Sequence, residues 1–319
     1  MSVKRLVLLL GLVVCGVTIV RAQFDPQIGQ FMYLPTAYNP AAAGEDDLMK
    51  VAGLHRMQFT GIKNAPMTTY FSFSSPFVIG KTKHAAGVRF MNDKFGLFSN
   101  QALHAQYAYR HRIGKGTLAV GVDLGFVNIS FATDSVNLKQ FDTEYFKSSD
   151  DALPTGKDAN AMSFDLGAGI WYSAPTWWVG ASMSHLTYPT LQWSDKSEFH
   201  LTGTMYIAGG YNWRLKNKDW VLKPSALVMT DFRSWDINIA MLAEVKEKYR
   251  FGLSYRILGN IGLLLGIDII SGLQLGYTYE LPTSKLIYES YGSHELFLAY
   301  GFDILKPKRT NKYKSVRYL

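Results

Sequence analysis

The sequence predicts an all-β protein, a transmembrane outer-membrane β-barrel of about fourteen antiparallel strands, and three observations carry that prediction. The first is alternation. From Gly272 to Leu281 large apolar or aromatic side chains occupy every second position, and the pattern returns at Leu118, Val120, Val122, Leu124 and Phe126 and at Leu296, Leu298, Tyr300 and Phe302. Such strands have one apolar and one polar face, and their length of about ten residues suits a tilted crossing of a bilayer. The second is that no apolar run of roughly 18 residues follows the N-terminal leader, so a bilayer could be spanned only by a closed barrel. The third is the order of the connections, which alternate between short and long as bacterial barrels require.

Residues 1–22 open the chain as a signal peptide: Lys4 and Arg5, the apolar run Leu6 to Val20, then Val20-Arg21-Ala22 ahead of Gln23. The single cysteine, Cys15, lies in that run behind Val14, which argues against lipidation and leaves the mature chain without a thiol. Residues 23–47 form a Pro-rich lead-in. Pro26, Pro35 and Pro40 make a ladder strand improbable there, so the segment should be extended or turn-rich, inside the lumen or on the periplasmic side.

The barrel itself is expected over residues 48–303, with strands starting near residues 48, 67, 84, 101, 116, 160, 177, 201, 219, 235, 249, 261, 272 and 292. Even-to-odd connections are then short (Ile113 to Gly116, Ala174 to Thr176, Leu215 to Lys218, Glu247 to Lys248, Ser271), except for a longer piece at Phe77 to Lys83. Odd-to-even connections include the long ones, Thr133 to Ala159, Tyr188 to His200 and Pro282 to Tyr291. This parity puts both ends of the barrel in the periplasm. Residues 304–319 form a basic periplasmic tail.

The alternation assigns Arg89, His104, Gln106, Arg110, Asp123, Asp165, Asn238, Arg250, Arg256, Asp268, Gln274 and Glu280 to the lumen, a wall with both signs of charge. Aromatic pairs near strand ends, among them Tyr107 with Tyr109, Trp177 with Trp178 and Tyr211 with Trp213, are expected at headgroup level.

Net charge is a local matter. Of 33 basic residues, three leave with the leader and six (Lys306, Lys308, Arg309, Lys312, Lys314, Arg317) lie in the tail, so the body between carries 24 bases against 25 acids. That distribution gives no reason to expect a nucleic-acid partner. Nor are the usual chemical signatures present. The chain has no P-loop, H-E-x-x-H, G-x-S-x-G or cysteine cluster, and its histidines show no metal-ligand spacing. Gly167-Ala168-Gly169 sits in a strand pattern with no helix after it and reads as close packing. The protein is therefore expected to be no enzyme, with no catalytic, cofactor-binding or metal-binding residues.

Several patches in order along the chain resemble one family. They are Asp25-Pro26-Gln27-Ile28-Gly29-Gln30-Phe31-Met32-Tyr33-Leu34-Pro35, Tyr38-Asn39-Pro40-Ala41 with Gly44, His55-Arg56-Met57-Gln58-Phe59, Asn64-Ala65-Pro66-Met67-Thr68, Leu222-Lys223-Pro224-Ser225, Gly252-Leu253-Ser254-Tyr255-Arg256, Leu275-Gly276-Tyr277-Thr278-Tyr279 and Gly292-Ser293-His294-Glu295-Leu296. Each is weak alone, but the ordered set resembles the PorP/SprF family of the type IX secretion system of Bacteroidetes. The resemblance implies a non-enzymatic outer-membrane component of protein export, and of gliding motility in some relatives. It would act as scaffold for the periplasmic ring lipoprotein and motor, or for a surface adhesin or secreted cargo, with outer-membrane lipids around it. Tyr33, Asn39, Pro40, Gly44, Lys308, Arg309 and Lys312 are the candidate partner-contacting residues. Tyr33, Asn39, Pro40 and Gly44 could equally seal the barrel floor, since Pro and Gly shape the backbone. An outer-membrane porin or hydrophobic-solute transporter is the alternative function, because a fourteen-stranded barrel is wide enough to need water or a plug inside.

Overall fold

The computed structural model describes residues 25–132, 159–194, 197–217, 219–257 and 259–302. The leader, the first residues of the lead-in, most of the Thr133 to Ala159 connection and the tail, including Lys308, Arg309 and Lys312, lie outside them. Seventeen β segments are present: β1 (Met49–Met57), β2 (Met67–Ile79), β3 (Thr82–Phe95), β4 (Phe98–Ile113), β5 (Gly116–Phe131), β6 (Ala159–Ser173), β7 (Trp177–Ser184), β8 (Thr190–Ser194), β9 (Ser197–His200), β10 (Thr204–Tyr211), β11 (Trp213–Arg214), β12 (Trp220–Thr230), β13 (Trp235–Val245), β14 (Tyr249–Arg256), β15 (Asn260–Ile270), β16 (Leu273–Pro282) and β17 (Ser293–Phe302).

Fourteen of these form one closed antiparallel ring, with β11 a two-residue continuation of β10 along β12, and with β8 and β9 as a separate hairpin. Closure is made where β1 meets β17, from Met49 opposite Phe302 to Met57 opposite His294. Every strand in the ring has two neighbours, so no sheet edge faces lipid. All fourteen begin within three residues of their sequence-predicted starts. Among the described residues no helix is long and apolar enough to cross a membrane.

We call the end of the barrel that carries the start of β1 and the finish of β17 the near end, and the opposite one the far end. All near-end connections are short. The longer connection expected at Phe77 to Lys83 is in fact the two-residue turn Gly80-Lys81, with Ile79 opposite Thr82. Gly80 takes φ +62°, which a side chain resists and which matches hairpin twist to strand twist, so strand pairing continues through residues whose composition reads as loop. At the far end the Tyr188 to His200 connection contains the β8–β9 hairpin, in which Thr190 pairs with His200.

The side chains divide as the pleat requires. Phe126, Leu124, Val120, Leu296 and Leu298 are each about half exposed on the outer face, at 53, 47, 49, 52 and 49%. Arg89, His104, Gln106, Arg110, Asp123, Asp165, Asn238, Arg250, Arg256 and Glu280 are buried in the lumen. One aromatic departs from expectation. Trp177 faces outward, but Trp178, the next residue along, must point inward and stacks on buried Trp171 with ring centroids 4.8 Å apart.

The core of the protein lies inside the ring. Residues 25–47 thread the lumen as three 3-10 turns, Phe31–Tyr33, Pro35–Ala37 and Pro40–Ala42. Pro35 and Pro40 open two of them, where a proline's fixed φ is suited and its missing N–H costs nothing. Asn39 caps the last, its Oδ1 accepting from the Ala41 N–H at 3.0 Å. Phe31 and Leu34 are fully buried against inward-facing Leu54, Ala299 and Phe297 of the wall. Burial of each such side chain contributes ~2 kcal/mol to holding the segment in place.

Candidate functional site

The lumen and the segment that fills it make up the candidate site. At the far end Asp25 accepts from His185 Nε2 at 2.9 Å and from the Tyr206 hydroxyl. The other ring nitrogen, Nδ1 of His185, donates to Asp165 Oδ2 at 2.8 Å, and that oxygen also accepts from His104 Nε2 at 2.9 Å. Burial alone would discharge His185, yet the Asp25 and Asp165 carboxylates outweigh it and hold the imidazolium up at about 10. His185 is thus a cation between two anions at neutral pH. Gln27 next joins Asp236 and Arg256 on β13 and β14.

The Gly29 and Gln30 amides then donate to the Glu295 carboxylate on β17, at 2.7 and 2.8 Å. Glu295 shares Arg56 of β1 with Glu280 of β16. Arg56 grips Glu280 with both arms, at 2.9 and 2.7 Å, and reaches Glu295 at 3.1 Å. All three side chains are almost wholly buried. The fork geometry suits two carboxylates at once, which a lysine could not match.

Past Tyr33, whose ring lies 4.5 Å from the Arg250 guanidinium, the segment crosses the lumen to the opposite wall. Gln106 donates to the Thr36 carbonyl at 2.9 Å and Arg89 to that of Ala37 at 2.6 Å, while Ser182 Oγ donates to that of Tyr38 at 2.6 Å. The Asn39 amide donates to the carbonyls of Ile170 and Ala181, at 3.0 and 3.2 Å. Here the wall provides room by omitting side chains. A Cβ at Gly121 would lie 2.6 Å from Ala41 Cα, and one at Gly169 would lie 2.9 Å from Asn39 Cγ. The glycine pair at 167 and 169 accordingly serves close packing. Arg110 finally holds the carbonyls of Gly44 and Glu45 and the Asp47 carboxylate at the near end.

Of the sequence-predicted contact residues, Asn39, Pro40 and Gly44 are buried in the lumen, and Tyr33 is half-buried beside them, because luminal wall groups absorb the backbone polar atoms of the segment. Sequence reasoning did not single out Arg56, Glu295 and His185 as bonding groups. An inward parity at Arg56 and Glu295 was a usable signal, since a charge facing the lumen needs a counter-charge.

A cavity of ≈ 270 Å³ remains at the near end, lined by Tyr33, Trp171, Trp178, Tyr211 and Ser225 with Glu45, Asp46, Lys50 and Lys223. Burial pushes the Glu45 carboxyl up to about 7, helped by the Asp46 carboxylate and opposed by the Trp171 indole, Lys50 and Arg110. An acid with a raised folded pKa supports the folded segment most below its ordinary value and withdraws that support as pH rises through about 7. We expect hydrogen-exchange protection of residues 36–47 to fall between about pH 4.5 and about pH 7, and the fall to vanish in Glu45→Gln. A pH-independent wild type would refute it.

Among the described residues, no group of three or more His, Cys, Asp or Glu is placed to hold a metal ion. A closed fourteen-stranded ring with an apolar outer face and a filled lumen defines the class: an outer-membrane β-barrel protein. The chain belongs to the PorP/SprF family of type IX secretion system membrane proteins, whose family model matches residues 20–300. Solved structures similar to it include the outer membrane protein Omp33 of Acinetobacter baumannii, at 7% identity over 80% of this chain and 98% of that one, with a TM-score of 0.47. The toluene transporter TodX of Pseudomonas putida is 10% identical over 88% of this chain and 95% of that one, with a TM-score of 0.47. The KdgM porin is 9% identical over 79% of this chain and 99% of that one, with a TM-score of 0.37. Among curated proteins none matches the chain.

Proposed function

We propose that the protein is a plugged scaffold of the type IX secretion machinery, a barrel that organises export partners without conducting solutes or catalysing a reaction. The observation that carries this reading is the filled lumen in a member of a secretion family: residues 25–47 are tied to the wall from the far end to the near end. A solute pathway would have to displace that segment. In this reading the near end faces the periplasm, as short turns and paired termini do in bacterial barrels, and the ring lipoprotein of the secretion system docks there. The far end, with the β8–β9 hairpin, faces the cell exterior and any surface adhesin or secreted cargo.

Deleting the gene and measuring surface delivery of type IX cargo tests the reading, and undiminished cargo display would sink it. A finer test is Asn39→Ala combined with Gly44→Val. Gly44 sits at φ +67°, with a Cβ there 2.7 Å from that of Ala85, so valine drives the segment off the wall. We expect cargo delivery to drop about tenfold while the barrel still migrates as a folded, heat-modifiable species. Loss of the folded band would instead show the segment to be needed for barrel assembly.

A further inference from the structure

Four of the six turns at the near end share a property that the plugged lumen does not use. Exposed basic side chains stand in or beside three consecutive-pair turns and a fourth longer one: Lys81 between β2 and β3, Arg112 and Lys115 between β4 and β5, Lys216 between β11 and β12, and Lys246 and Lys248 between β13 and β14. The exposed acids in these turns are Asp219 and Glu247. Asp46 and Asp47, close by, are engaged with Lys50 and with Lys83 and Arg110. At the far end the described exposed charges are fewer and mixed, with Lys63, Lys94, Arg233 and Lys285 against Glu198 and Glu289.

The bases lie on the β2–β3, β4–β5, β11–β12 and β13–β14 turns, on both sides of the ring, while the β6–β7 and β15–β16 turns carry none. Directly beyond each turn the outer face carries an interfacial aromatic or a large aliphatic group: Ile79, Tyr109, Trp213 and Tyr249 are 59, 39, 59 and 48% exposed. Lys248 lies over the Tyr249 ring, 5.5 Å from its centroid, so at this point the ammonium and the girdle aromatic share one level. A protein partner would select one arc of the ring or its open mouth. A lipid leaflet meets the whole circumference at the height of the girdle.

We propose that this basic collar binds the headgroups of anionic phospholipids in the leaflet around the near end. The lysine and arginine donors take the phosphate oxygens, and the aromatics beneath them fix the depth. The collar requires no particular orientation of the barrel in the cell, so the proposal stands or falls separately from the scaffold reading.

The test uses the full-length protein in bilayers of three parts phosphatidylcholine to one part phosphatidylglycerol, with retained lipid identified by native mass spectrometry. We expect the ratio of retained phosphatidylglycerol to phosphatidylcholine to exceed the bulk ratio roughly fivefold, the factor for about one engaged lysine at a time. Enrichment should collapse at about 0.5 M salt, where the Debye length shrinks to roughly 4 Å. Combined K81Q, R112Q, K115Q, K216Q, K246Q and K248Q should abolish it in a barrel that remains heat-modifiable. If that variant does not fold, the two half-sets, K81Q/R112Q/K115Q and K216Q/K246Q/K248Q, should each reduce it by about half on the logarithmic scale. Truncation after Asp303 should leave most of it intact. The proposal is overturned by bulk-level phosphatidylglycerol on the wild type, by enrichment that survives the substitutions, or by enrichment lost on truncation alone. Absent lipid preference together with lysine cross-links from the collar to an acidic protein in cells would make it a protein-docking ring and refute lipid binding.

Discussion

Arg56→Met is expected to cost about 3–5 kcal/mol of barrel stability, the largest effect of any single substitution in the wall. The reason is the pair of carboxylates it leaves behind. Glu280 and Glu295 are buried, and Arg56 bridges both, so methionine fills the space but strands two anions next to each other. Glu295 also receives the Gly29 and Gln30 amides, so the lead-in loses an anchor when that carboxylate takes up a proton to relieve the repulsion. Urea titration of the folded, heat-modifiable band in lipid or detergent measures the change. Combining Arg56→Met with Glu280→Gln and Glu295→Gln should recover part of the loss, because the same positions are then neutral and the glutamine carbonyl at 295 still accepts from one of the two amides. A single variant as stable as wild type would mean that the three groups are not coupled as described.

Gly121→Val is expected to turn a silent barrel into a conducting one. The wall strand β5 passes so close to the lead-in at Gly121 that a Cβ would lie 2.6 Å from both Ala41 Cα and the Pro40 carbonyl carbon. These are backbone atoms, which cannot swing aside, so the segment must leave that part of the wall. Asn39, whose amide bonds Ile170 and Ala181 on the neighbouring strands, goes with it. In planar bilayers the wild type should show no steady conductance, whereas the variant should show openings about tenfold or more above background, the lumen being wide enough for water once vacated. Steady wild-type conductance would favour the porin or transporter reading over the scaffold. Neither Arg56 nor Gly121 belongs to a catalytic or ligand-binding signature, although Arg56 lies within one of the family patches.

Much of the architecture was legible beforehand. Strand alternation is a local property: in Leu118 to Phe126 successive side chains must point to opposite faces, and lipid outside selects which face is apolar. The luminal assignment of Arg89, Asp123, Asp165 and Glu280 followed from that parity, and the prolines of the lead-in correctly excluded a strand. The pairing of Trp178 with Trp177 as interfacial went against that parity, since neighbours in a strand cannot share a face, and Trp178 stacks on Trp171 inside. The turn at Gly80-Lys81 was misread as a longer loop because Phe77, Val78 and Ile79 continue a strand whose edge composition, with Pro76 and Gly80, suggested an ending. Tyr33, Asn39, Pro40 and Gly44 are candidates for their setting in the lead-in, and nothing local to Asn39 or Gly44 says which way that segment goes.

The sequence by itself determined a barrel of about fourteen strands, the facing of nearly every strand residue and the non-strand character of residues 25–47, because pleat, turn and proline constraints act over a few neighbouring residues. Only the tertiary structure decided that the lead-in fills the lumen, and which charges meet there. Arg56 pairs with Glu280 and Glu295 across 224 and 239 residues of chain, and His185 with Asp25 across 160. Those partners are brought together by closure of β1 onto β17 and by the radius the ring then adopts. Neither is a property of any local stretch of sequence.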